Sequence, residues 1–201
     1  MHARRLGFAL VLAAGVARLA AASPYSDYVL STSPAIYWQQ NETSGGTAAD
    51  SAPLGGLNNG SYLNATLGQV GPRPPAFDNM DALNYAPYVA RNGLTQYTSL
   101  NTTAGVPTTA YSVQTWFYST MAFGTTGYPL HYIFGRGNGL AANVDNRDAL
   151  YVGGIYTGII PSRLHFTSGA GGSSAYGNSV LIPNMWYRLS SCATAQTSKC
   201  T

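Results

Sequence analysis

Residues 111–120, "YSVQTWFYST", divide in a two-residue rhythm into a core-suited face and a polar face that ends in two aromatics. Tyr111, Val113, Thr115 and Phe117 fall on one face; Ser112, Gln114, Trp116 and Tyr118 fall on the other. That period belongs to a β-strand with one face suited to a core. Shorter apolar runs recur along the chain: "AIYWQQ" (35–40), "TQYTSL" (95–100), "HYIFGRG" (131–137), "ALYVGG" (149–154), "RLHFTSG" (163–169) and "NMWYRLS" (184–190). Gly, Pro, Asn and Ser separate them, as in "SGAGGSSAYGNS" (168–179). Asn59-Gly60 is a hairpin signal. The prolines of "GQVGPRPPAFDNM" (68–80) predict a connection that crosses between sheets. No stretch combines helical periodicity with helix caps, so no helix is predicted. The pattern predicts an all-β, antiparallel β-sandwich or jelly roll in one domain.

Charge changes the picture once the start of the chain is set aside. Residues 1–22 have a basic start (His2, Arg4, Arg5), an apolar run and Ala20-Ala21-Ala22 before Ser23. That is the form of a secretory signal peptide, and the run is too short for a membrane span. The formal charge of +3 includes Arg4, Arg5 and Arg18. From Ser23 onward seven basic residues face seven acidic ones. A nucleic-acid partner would need a basic footprint, so it is excluded. No later stretch predicts a membrane span, and the expected setting is secreted, extracellular and soluble.

The candidate chemistry is sparse. Glu42 is the one glutamate, placed in the loop-like "QNETSGG". Glycoside hydrolysis commonly needs two carboxyl groups flanking the scissile bond. No strand here carries two on one face, so hydrolysis is disfavoured and the chain reads as a non-enzyme. His131 and His165 sit in aromatic or aliphatic strand runs and read as packed or surface residues, not catalytic ones. "FGRGNG" reads as a turn, because no helix follows to make a phosphate loop. "NVDNRD" offers Asp145, Asn146 and Asp148, oxygen ligands of the kind Ca²⁺ takes, but is too short for a full calcium loop. A hydrated turn is the plainer reading there, and no other cofactor is implied.

Several motifs occur in a recognisable order. "YWQQNETSGGTAADS" is followed by "NNGSYLNATLGQVGP", then "YSVQTWFYST", "YIFGRG", "LYVGG", "LHFTSG" and "NMWYRLS". In that order, over roughly residues 35–189, they resemble a laminin G-like (concanavalin A-like lectin/glucanase) jelly roll of the secreted bacterial type. Two departures stand out. Gln114 replaces the family's usual glutamate, and "AFDNMDALNYAPYV" lacks the usual glycine turn. No metal role is therefore carried over to Asp78 or Asp81. The resemblance implies a non-catalytic module that binds a glycan or an extracellular, cell-surface protein. A structural or protein-interaction fragment of a larger surface protein is the alternative. On physical grounds the polar-aromatic face of 111–120 is the candidate site. Trp116 and Tyr118 would stack on a sugar ring and Gln114 would bond its hydroxyls, with Tyr128 a further candidate. Packing of Trp116 in the core is the competing reading. Asn41, Asn59, Asn64 and Asn101 head N-glycosylation sequons.

Residues 190–201 depart from the family. Its Asp-Gly turn and return strand are absent, so the last strands read as missing and the segment as an atypical tail. Two explanations stand: a variant ending closed by a Cys192–Cys200 disulfide, which export would permit, or a shifted reading frame.

Overall fold

The computed structural model of the chain describes residues 23–53, 55–89, 97–99, 110–123, 130–136, 148–153, 161–167 and 174–194. The first described element is a helix, α1 (Pro24–Ser31), which the sequence pattern does not predict. Eight residues are too few to display a periodicity, so the signal lies in the start of the helix. The Ser23 hydroxyl accepts from the Ser26 backbone N–H at 3.2 Å. Pro24 occupies the first turn and Asp27 follows in it, where the helix dipole favours a negative charge. A helix this short is marginal alone. Docking holds it: the Tyr25 N–H donates to the Asn79 carbonyl at 3.0 Å, and the Ser26 and Tyr37 hydroxyls meet at 3.2 Å.

Eleven strands follow among the described residues: β1 (Thr47–Ala48), β2 (Gly60–Leu63), β3 (Thr66–Val70), β4 (Tyr85–Tyr88), β5 (Tyr97–Ser99), β6 (Ala110–Tyr118), β7 (Leu130–Arg136), β8 (Asp148–Gly153), β9 (Leu164–Thr167), β10 (Ser174–Tyr176) and β11 (Trp186–Thr194). Every pairing is antiparallel. The strands form groups ordered β1-β2-β5, β3-β4, β11-β6 and β10-β9-β8-β7. The described residues are thus mostly β, with one short helix.

Several expectations are corrected. "AIYWQQ" forms no strand; only Trp38 makes a bridge, to Asp50. The Asp50 carboxylate takes the Tyr37 N–H at 3.0 Å, and Gln40 turns to a φ of 55°, which ends any extended run. Asn59-Gly60 is not a two-residue hairpin turn. Gly60 opens β2, and a Cβ there would lie 3.1 Å from the Trp38 ring. The proline-rich segment does not cross between sheets. It joins β3 to its own partner β4. Gly71 lets that return close, since a Cβ would come within 3.0 Å of the Tyr85 backbone. The Gly-rich 168–179 segment contains β10, paired with β9. Asp148 begins β8 rather than lying in a turn.

Strand β11 also runs beyond "NMWYRLS". It pairs with β6 at nine positions, from Trp186↔Tyr118 to Thr194↔Ala110. The first residues of the atypical tail are therefore strand. The ladder needs only backbone groups, which polar residues supply as well as apolar ones.

The core lies between the β6–β11 ribbon and the four-stranded sheet. Phe123, Val152 and Leu181 are buried together, and Phe117, Ile133, Leu164 and Tyr187 pack against them. Every residue of β8 is buried, Leu150 and Val152 completely. A register shift between Tyr132 and Phe134 bulges β7, so that Ile133 joins the core while Phe134 still pairs with Leu150. Among the described residues no helix is long and apolar enough to cross a membrane.

Candidate functional site

The face of β6 turned away from this core carries the residues the alternation singles out. Cross-strand partners share a face. Tyr118 is therefore beside Trp186, Trp116 beside Arg188 and Gln114 beside Ser190. Together they form one strip along the ribbon.

The strip is not uniformly open. Gln114 is exposed, and its Nε2 donates to the Tyr25 hydroxyl at 2.9 Å. Trp116 is half-buried. Tyr25 and Phe77 set their rings against it, at centroid distances of 6.0 and 5.4 Å and near-perpendicular angles. The Trp116 Nε1 is buried without a hydrogen-bond partner among the described residues. Helix α1 and the β3–β4 connection thus make Trp116 a packing residue, not an open stacking platform.

Tyr118 is the open aromatic, 42% exposed. Its ring lies 5.4 Å from that of Trp186, tilted by 48°. Its hydroxyl reaches Asn184 Oδ1 at a long 3.5 Å. Asn184 adopts a φ of 63°, a conformation asparagine tolerates better than most residues. Its N–H donates to the Ser119 carbonyl at 2.7 Å, which fixes the turn beside the ring pair. An exposed tyrosine, a half-buried tryptophan and a positioned amide thus meet at the end of the ribbon.

Sequence reasoning missed Asn184 and Trp186 as site residues. The signal was the alternation within "NMWYRLS", which puts Trp186, Arg188 and Ser190 on one face. What it lacked was the register that aligns Trp186 with Tyr118.

A second aromatic row crosses the four-stranded sheet. Tyr132, Tyr151, His165 and Tyr176 are successive cross-strand partners. The Tyr151 and His165 rings stack at 5.3 Å with only 8° between their planes. Both are buried, while Tyr132 and Tyr176 are exposed at the two ends. His165 is thus packed, one of the two placements its strand context left open.

The carboxylates do structural work. Glu42 accepts from the Ala49 N–H at 2.8 Å and from the Tyr62 hydroxyl at 2.6 Å. Burial, reinforced by that bond to Glu42, pushes the Tyr62 hydroxyl well above the usual tyrosine pKa. One Asp50 oxygen accepts from the Tyr37 and Ala52 N–H groups, each at 3.0 Å. Asp148 pairs with Arg136 at 3.0 Å and accepts from the Tyr111 hydroxyl. The Arg136 guanidinium also lies 4.5 Å from the centre of the Tyr111 ring. Burial, then the bond to Asp148, raises the Tyr111 pKa. This cluster joins β6 to β7 and β8 at one end of the core.

No protein-family model, curated protein or solved structure matches the chain.

The remaining sequence candidates are scattered. Of the calcium candidates, Asp148 is in the Arg136–Tyr111 cluster; Asp145 and Asn146 lie outside the described residues. Among the described residues no three His, Cys, Asp or Glu side chains gather as metal ligands. Cys192 pairs with Ser112 in the β11–β6 ladder, whereas Cys200 lies outside the described residues. Tyr128, Asn101 and residues 1–22 also lie outside them. Asn59 and Asn64 are exposed; Asn41 is half-buried and donates to Gln39 Oε1 at 3.0 Å.

Proposed function

We propose that this protein is an exported, non-catalytic carbohydrate-binding or adhesion module built on a laminin G-like jelly roll. The observation that carries the reading is the exposed Tyr118 ring set against the half-buried Trp186, with Asn184 beside them. A pyranose presents an apolar face of C–H groups and a rim of hydroxyls. Aromatic rings take the first, and an amide, which both donates and accepts, takes the second. The turn holds Asn184 in place before any ligand arrives, which lowers the cost of ordering it. The engagement of Glu42, Asp50 and Asp148 in structural bonds supports a binding role over hydrolysis.

A protein partner is the second reading. Val180, Ile182 and Met185, in the segment that leads into β11, are also exposed and apolar. Surface apolar groups of this kind suit a protein interface as well as a sugar.

A glycan array on the domain from Ser23 onward, with Tyr118→Ala beside it, tests the proposal. Binding to at least one glycan, reduced about tenfold or more by Tyr118→Ala, is the expected result. Well-folded protein that binds no glycan would overturn it. Release of reducing sugar from a bound polysaccharide would restore the hydrolase reading.

A further inference from the structure

The aromatic strip also carries a charge. Arg188 follows Trp186 by two residues, lies on the same face and stands opposite Trp116. It is exposed. The ion pair formed among the described residues is Arg136–Asp148, and Arg188 has neither an ion pair nor a hydrogen bond there. The neighbouring acids do not engage it. Helix α1 carries Asp27, and the segment holding Phe77 against Trp116 carries Asp78 and Asp81. None lies within ion-pairing distance of Arg188.

We infer that the strip's ligand is an acidic glycan, a chain bearing carboxylate or sulfate groups; this rests on the carbohydrate reading above. A neutral sugar would use the Tyr118–Trp186 pair and the Asn184 amide and leave the guanidinium in water. An acidic sugar uses all three. Its ring stacks on the aromatic pair, its hydroxyls meet the amide, and its anionic group reaches the guanidinium fork. That fork matches planar carboxylate geometry with two parallel N–H···O bonds, and it bonds sulfate oxygens in the same manner. Strand geometry sets the scale. Residues two apart on one face are separated by about 6.5–7 Å, so the anion and the stacked ring belong to the same or adjacent sugar units. The seven basic and seven acidic residues from Ser23 onward leave no net charge to attract anionic polymers generally. Selectivity would therefore reside in this local cation.

Affinity electrophoresis through gels containing polygalacturonate, a sulfated galactan or a neutral galactan tests the inference. The proteins compared are wild type, Arg188→Gln, Arg188→Lys and Tyr118→Ala, each with a circular-dichroism check of folding. The wild type should be retarded more by the acidic polymers. Arg188→Gln should weaken that retardation about tenfold, the loss expected for a charge-assisted hydrogen bond, and leave the neutral gel unchanged. Arg188→Lys should fall between them. Polygalacturonate against sulfated galactan identifies which anion is preferred. Equal retardation of wild type and Arg188→Gln in both acidic gels would overturn the inference; the carbohydrate reading would still stand if Tyr118→Ala lost binding. A wild type retarded by none of the three polymers would overturn the inference, while the wider glycan array judges the parent reading. Loss in Arg188→Gln with no loss in Tyr118→Ala would also overturn it, because a bare cation would then suffice.

Discussion

Leu150 is completely buried in a strand that is itself buried along its whole length. Truncation to alanine would remove buried methyl groups and leave a cavity that close-packed neighbours cannot fill. Leu150→Ala should cost about 2–5 kcal/mol, read as a lower urea midpoint with an unchanged slope. Tyrosine hydroxyls provide the residue-scale response to pH. Burial raises the pKa of Tyr62 and Tyr111, and their hydrogen bonds to Glu42 and Asp148 raise it further. Both hold their protons more tightly folded than unfolded, where tyrosine titrates near pH 10. Their contribution is fully present below that pH. It is lost as pH rises, because the unfolded chain ionises first. Urea midpoints should fall above about pH 10, and the Tyr62→Phe, Tyr111→Phe double variant should fall less steeply. An identical alkaline slope in the variant would refute this assignment. The sequence made these residues visible as tyrosines but not as partners of Glu42 and Asp148. The Tyr111–Asp148 pair spans 37 positions of chain, and no local pattern encodes a contact of that separation.

Among the elements, α1 shows how a weak local signal is completed from outside. Its cap and Pro24 start the helix, while Tyr25 meets both Trp116 and Gln114. Tyr25→Ala should uncover Trp116. In a Trp38→Phe, Trp186→Phe background, which leaves Trp116 as the sole tryptophan, emission should shift to the red and acrylamide quenching should increase. Unchanged emission and quenching would mean that α1 does not shield the ring. Strands were easier to read than their partners. The alternation of β6 correctly set its exposed and half-buried faces, since Ser112, Gln114 and Tyr118 are exposed and Tyr111, Val113 and Phe117 are half-buried. It could not show that a helix and a loop would close over Trp116. The face was legible; its availability to a ligand was not. The two-residue β1 and the three-residue β10 were illegible for another reason. Such short strands arise from pairing with a longer neighbour, not from their own composition.

At the scale of the whole molecule, the ribbon and the four-stranded sheet share one core, which Phe117, Tyr187, Val152 and Leu164 join from both sides. Strand β8 is flanked by β7 and β9 and has no free edge. Its amides should be among the slowest in hydrogen exchange, slower than those of the β3–β4 pair, whose Gln69, Val70 and Tyr88 are exposed. Exchange at β8 as fast as at β3–β4 would place the stable centre elsewhere. The sequence by itself determined the β class, the longer strands and the inward and outward faces of β6. Those properties follow from local periodicity and turn composition. Tertiary structure alone decided the registers, the docking of α1, the closure of Trp116 and the meeting of Tyr118 with Trp186 and Asn184. These depend on which distant segments pack together, and the alternation of one strand is compatible with many partners. Backbone pairing likewise carried β11 through residues 190–194, where side-chain pattern alone reads as a polar tail.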